Sequence, residues 1–161
     1  MFLLKKKIGQ AYFNLGIYDS AANYLMYAEI ALPRDYEATL LGAWCEYHLG
    51  SYADAFYSFE AVILECSDSE LRDRASFGLV DLCLKGHDIE RAREFLEEVS
   101  RSSKKNPLYH YYFGKILYLK GQEKGEVKRS LIKAMTEGLD ENKHEECFKM
   151  LADLGVDTLS N

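Results

Sequence analysis

Proline is scarce in this 161-residue chain, which holds only Pro33 and Pro107. Proline fixes φ and removes a backbone donor, so its absence elsewhere leaves helices uninterrupted. No serine-rich or glycine-rich stretch occurs, so no flexible linker or low-complexity tail is expected. Apolar runs never approach the roughly 20 residues needed to span a bilayer, which argues against membrane insertion. The start, Met1-Phe-Leu-Leu-Lys-Lys-Lys, lacks the order of a signal peptide, because its short apolar stretch precedes the charges. Positive charge is outweighed, with a net charge of −6. That disfavours nucleic acid as a partner, since such binding draws on cations meeting phosphates. The local basic runs at 5–7, 101–105 and 115–133 read as solvated helix faces. The four cysteines, Cys45, Cys66, Cys83 and Cys147, form no CxxC pair and sit within helical patterns. They read as small core residues, and a reduced, cytoplasmic compartment is expected.

Catalytic signatures are lacking as well. None of His48, His87, His110 and His144 stands at a known motif spacing from a serine or cysteine nucleophile. His144 and Cys147 are three apart on one helix, but a zinc site needs about four ligands and no second pair is present. No GxxxxGK[ST] phosphate loop occurs. Acidic neighbours such as Glu97-Glu98 and Glu145-Glu146 point about 100° apart on a helix and cannot jointly flank a substrate. The expectation is a non-enzymatic protein with no metal and no other cofactor.

What is present is an echo. Leu15-Gly16-x-Tyr18-x-x-Ala21 returns 34 residues later as Leu49-Gly50-x-Tyr52-x-x-Ala55. A period of 34 marks stacked helical hairpins. Gly9, Ala21 and Ala28 supply short side chains where two antiparallel helices cross, with Tyr12 and Leu25 filling the space between. The second unit repeats the offsets with Ala43, Gly50, Tyr52, Ala55, Phe59 and Val62. Aligned on Gly86 and Gly121, the third and fourth units place Ala92 and Val127 one position late, which predicts a longer turn in both.

This pattern resembles the tetratricopeptide repeat family, specifically in the first two units and more loosely afterwards. The resemblance implies an all-α fold: a right-handed superhelical array, or α-solenoid, of about four antiparallel helix pairs. The chain reads as one domain over 1–161, with units at about 1–34, 35–68, 69–105 and 106–139. Helix pairs fall at about 2–15 and 18–31, 35–49 and 52–65, 69–85 and 88–101, and 106–120 and 123–137. Asp140 reads as the N-cap of a capping helix over about 141–154, with Cys147, Phe148, Leu151 and Leu154 on its apolar side. The N-terminal edge, Phe2-Leu3-Leu4, has no such cap, so a homodimer or an upstream segment is expected to cover it.

The family pattern also implies a concave surface lined by the first helix of each pair, where another protein or a peptide segment binds. Carried onto this chain, the binding positions are Lys6, Gln10, Phe13 and Asn14; Leu40, Trp44, Tyr47 and His48; Val80; and Tyr111, Lys115 and Tyr118. Aromatic groups of this kind anchor apolar side chains of a partner. The cationic clamp that some relatives use for acidic tails is not matched, because Gln10, Glu37 and Leu41 stand where clamp residues would. The function implied is an adaptor or scaffold. The stretch 41–59 also resembles the central repeat of bacterial type III secretion chaperones for translocator proteins. That implies, as an alternative, a chaperone holding a hydrophobic client. A further alternative is a fragment of a subunit of a larger assembly.

Overall fold

The computed structural model of the protein describes residues 1–155 and, among them, every side chain except that of Phe2. The described residues form nine α-helices and no strand, and the chain divides into two compact units, 1–82 and 83–161. Consecutive helices pack in pairs, as in an α-solenoid.

The first unit holds α1 (Phe2–Asn14), α2 (Tyr18–Ala31), α3 (Tyr36–His48), α4 (Tyr52–Glu65) and most of α5 (Ser69–Lys85). Close helix approach depends on the small residues. A Cβ on Gly9 would lie 2.9 Å from Leu25 Cγ, so α1 meets α2 where glycine leaves room. Ala21, Leu25, Ala38, Leu41 and Cys45 form a buried cluster, with Tyr12, Phe13, Tyr18 and Ala22 packed on it. Phe59 of α4 is fully buried, and its ring lies over Gly78 of α5. Asp35 caps α3 by accepting from the backbone N–H of Ala38 at 3.2 Å, satisfying a donor the helix itself cannot.

The second unit holds the end of α5, then α6 (Ile89–Glu97), a 3-10 turn at Ser103–Lys105, α7 (Pro107–Leu119), α8 (Lys124–Glu137) and α9 (Glu141–Asp153). Asn106 caps α7 by accepting from Leu108 N at 2.9 Å, and Pro107 occupies its first turn, where no N–H is missed. Asp140 caps α9 through the Lys143 N–H at 3.0 Å. Cys147, Met150 and Leu151 form the buried side of α9.

Two expectations drawn from the sequence need correction. Helix α6 ends at Glu97, not near 101. Serine competes with the helix there: Ser100 and Ser102 share a hydrogen bond at 2.9 Å, and Ser103 N donates to Ser100 Oγ at 3.4 Å. The third repeat is also registered one residue later than its glycine suggests. The left-handed residue that ends the first helix of each pair is Gly16, Gly50 and Gly121 in three cases, but His87 in the third, at φ 62°. The hydrogen bonds agree. His87 N donates to Leu84 O and Asp88 N to Cys83 O, as Gly50 N donates to Tyr47 O and Ser51 N to Glu46 O. Counted from His87, Ala92 arrives five residues on, as Ala21 and Ala55 do. The connection between α5 and α6 therefore has the ordinary three residues, and only the one between α7 and α8 is longer, at four.

Candidate functional site

The face expected to bind is carried in the first unit by α1 and α3. Gln10, Asn14 and His48 are exposed there, and Lys6, Phe13, Trp44 and Tyr47 are partly exposed. The α3 aromatics are not independent. Trp44 meets Tyr47 edge-on at 5.4 Å and Phe59 at 5.0 Å, so one edge of the indole is anchored in the core. His48 stacks on Tyr18 of α2 at 4.1 Å and 8°, with Phe13 at 6.3 Å and Tyr47 at 5.3 Å. Such contacts fix ring positions before any partner arrives.

Polar groups on this face are held too. Lys6 Nζ lies 2.8 Å from both Asp35 Oδ1 and Glu37 Oε2. Burial opposes its charge, but the two carboxylate hydrogen bonds outweigh that, and the Lys6 pKa lies above its ordinary value. The Tyr47 hydroxyl donates to Asp81 of α5, one repeat further along the chain.

The same device recurs in the second unit. Tyr111 donates to Glu146 Oε2 at 2.7 Å, Lys115 Nζ reaches the same oxygen at 2.7 Å, and Tyr118 donates to Asp153 Oδ2 at 2.7 Å. These bonds tie α7 to α9. Burial raises the cost of charging Glu146, yet Lys115 and Tyr111 more than offset it and hold its carboxyl below the usual value. The hydrogen bond from Tyr118 to Asp153 pushes its phenol up.

Three of the residues expected to face a partner are in the core. Leu40 and Val80 have no exposed surface, and Tyr111 is 1% exposed. Val80 follows from the register: counted from His87, the position equivalent to Trp44 and Lys115 is Asp81, and Val80 corresponds to the small residues Gly9, Ala43 and Gly114 that face the second helix. The carboxylates Asp35, Asp81, Glu146 and Asp153 were missed. For Asp81, Glu146 and Asp153 the signal in the sequence is an acid 34 or 35 residues after a tyrosine, which is readable only once the register is known.

No reactive centre is assembled from the cysteines. All four are buried and free, and burial pushes the Cys45 and Cys147 thiols up to about 11, so they stay protonated. His144 packs its ring on Phe148 at 5.0 Å. Among the described residues no three His, Cys, Asp or Glu come together as metal ligands, and no helix is long and apolar enough to cross a membrane.

The tetratricopeptide repeat family model matches residues 6–70, the span from α1 into α5. No curated protein matches the chain. Among solved structures, a thermophilic TPR protein of Thermus thermophilus superposes with a TM-score of 0.76 at 18% identity, over 96% of this chain and 84% of that one. MamA from Desulfovibrio magneticus RS-1 gives 0.67 at 21% identity, over 96% and 85% of the two chains. A tetratricopeptide repeat protein from Parabacteroides merdae gives 0.59 at 18%, over 94% and 71%. Proteins built from such repeats are generally binding modules and not enzymes. Residues 6–70 thus carry tetratricopeptide repeats, and the paired helices of the chain share the fold of solved tetratricopeptide repeat proteins.

Proposed function

We propose that this protein is a non-enzymatic adaptor that binds a peptide segment of another protein on the α1–α3 face of its first unit. The observation that carries this reading is the aromatic group Phe13, Trp44, Tyr47 and His48, partly exposed on one side and pinned by Tyr18 and Phe59 on the other. Rings held in place lose little freedom on binding, which is how a few anchors come to dominate an interface. Gln10 and Asn14, exposed on α1, supply amides able to pair with an extended peptide backbone. In the second unit Lys115 and Tyr118 play the same part on α7, with Tyr111 serving as their support.

Trp44 is the sole tryptophan, so its emission reports on this face alone. Peptides selected from a random display library against the intact protein should shift that emission on titration. Trp44→Ala should weaken them by more than about 1 kcal/mol, as loss of an anchor does. Selected peptides that bind the variant as tightly as the parent protein would remove this face from consideration.

The N-terminal edge favours a second contact. Leu3 and Leu4 are each 61% exposed and Ala11 is exposed, whereas Ala38 and Cys45, one repeat after Leu4 and Ala11, have no exposed surface. In α3 those positions are covered by α2. The edge of α1 is shaped to receive a helix in the same way, and a second copy of the chain is the partner proposed. Light scattering should show a mass that rises with concentration and falls to the monomer in Leu4→Glu. A monomer at all concentrations refutes the dimer.

A further inference from the structure

We infer that the peptide held on the α1–α3 face is basic, with a lysine or arginine placed about three residues from the side chain that meets Trp44. This rests on the binding face proposed above and adds the chemistry of its occupant.

The charge of the protein is unevenly held. Residues 1–82 carry twelve Asp and Glu against six Lys and Arg, which accounts for the whole net charge of −6; residues 83–161 carry fourteen of each. Within the first unit the imbalance is sharper still. Between Arg34 and Arg72 there are eight acidic residues and no lysine or arginine, and this stretch contains all of α3 and α4. A surface so biased raises the local concentration of cationic partners and repels acidic ones.

The bias is expressed on the binding face itself. Lys6 reaches this face from α1, and it is flanked by two carboxylates at 2.8 Å, leaving one negative charge over. The Glu37 side chain is 46% exposed against 16% for Asp35 and Lys6, so Glu37 is the member a partner can reach. Glu37 lies seven residues before Trp44 on α3, which is two turns, or about 10 Å along one side of the helix. An extended peptide covers that distance in about three residues. A basic side chain opposite Glu37 therefore sits about three positions from the residue against Trp44. Indole and phenol faces also attract cations, so Trp44 and Tyr47 accept a second basic residue as readily as an apolar one.

The test pans a random-peptide display library on the intact protein and recovers every bound peptide with denaturant, so that charge does not decide what is recovered. The selected peptides should be enriched in Lys and Arg. Their affinity should fall roughly threefold to tenfold in Glu37→Gln, more in Glu37→Lys, and steeply with ionic strength. Glu37→Gln keeps size and helix propensity, and its circular dichroism should match the parent, so lost binding is not lost folding. Neutral or acidic peptides that depend on Trp44 but not on Glu37 would overturn the charge assignment while leaving the face as a binding surface. Peptides indifferent to both Trp44→Ala and Glu37→Gln would overturn the two together.

Discussion

Tyr111 on α7 and Glu146 on α9 stand 35 residues apart in the chain and are joined by a phenol–carboxylate hydrogen bond of 2.7 Å. Tyr47 and Asp81 are joined in the same way across 34 residues, and Tyr118 and Asp153 across 35. Tyr111–Glu146 and Tyr118–Asp153 tie α7 to the capping helix α9, and Tyr47–Asp81 ties α3 to α5, the first helix of the next pair. Each bond fixes where its tyrosine ring lies relative to the helix that carries the carboxylate.

Removing one member of the Tyr111 group has unequal effects. Tyr111→Phe keeps the buried ring and the Lys115–Glu146 pair, so it should cost about 1 kcal/mol in urea denaturation. Glu146→Ala removes the acceptor of both Tyr111 and Lys115 and should cost more. Equal losses would show that the carboxylate does not organise the group.

Glu146 and Glu29 should respond to acid in opposite ways. Glu146 has a lowered native pKa, so its contribution is complete above the ordinary glutamate value and is lost as pH falls through the lowered one. Glu29 is the reverse. Burial raises its pKa above the ordinary value, so its charge costs stability at neutral pH and that cost vanishes on acidification. Glu29→Gln should therefore stabilise the protein at pH 7, with the gain closing as pH drops through the carboxylate range. Glu146→Gln should destabilise it at pH 7 and flatten its acid unfolding. Denaturation midpoints measured across that range decide both.

The left-handed turn at His87 predicts a stabilising substitution. An L side chain at positive φ is strained by about 1–2 kcal/mol, which His87→Gly relieves, less the entropy glycine adds to the unfolded chain. A net gain of about 0.5 kcal/mol is expected from thermal melts. Gly50→Ala, at φ 83°, should lose about 1 kcal/mol. If Gly86 occupied that turn position instead, His87→Gly would bring no gain.

Gly78 should tolerate no side chain. A Cβ there would lie 2.5 Å from Phe59 Cζ and 2.6 Å from Cε1, and the ring is fully buried and cannot swing away. Gly78→Ala is expected to cost about 1–3 kcal/mol, by calorimetry, and Phe59→Leu in the same chain should recover part of the loss. Additive losses in the double variant would mean that the two positions do not meet.

The sequence by itself determined the helices. The 34-residue echo, small residues at the crossings, the cap at Asp140, and the want of proline are local and periodic signals. They place eight of nine helices within a residue or two at each end. The exception, α6, was lost to serines whose side chains hydrogen-bond locally, a competition that a hydrophobic pattern does not display. Register in the third repeat was decided only by tertiary structure. Two neighbours, Gly86 and His87, were eligible for one left-handed position, and glycine, the usual occupant, did not take it. A one-residue slip turns a helix by about 100°, so Val80 went to the core and Asp81 to the hydroxyl of Tyr47. The aromatic residues of the face were legible as residues. Which ring is free and which is tied was not, because stacking and phenol–carboxylate bonds join positions that only folding brings together.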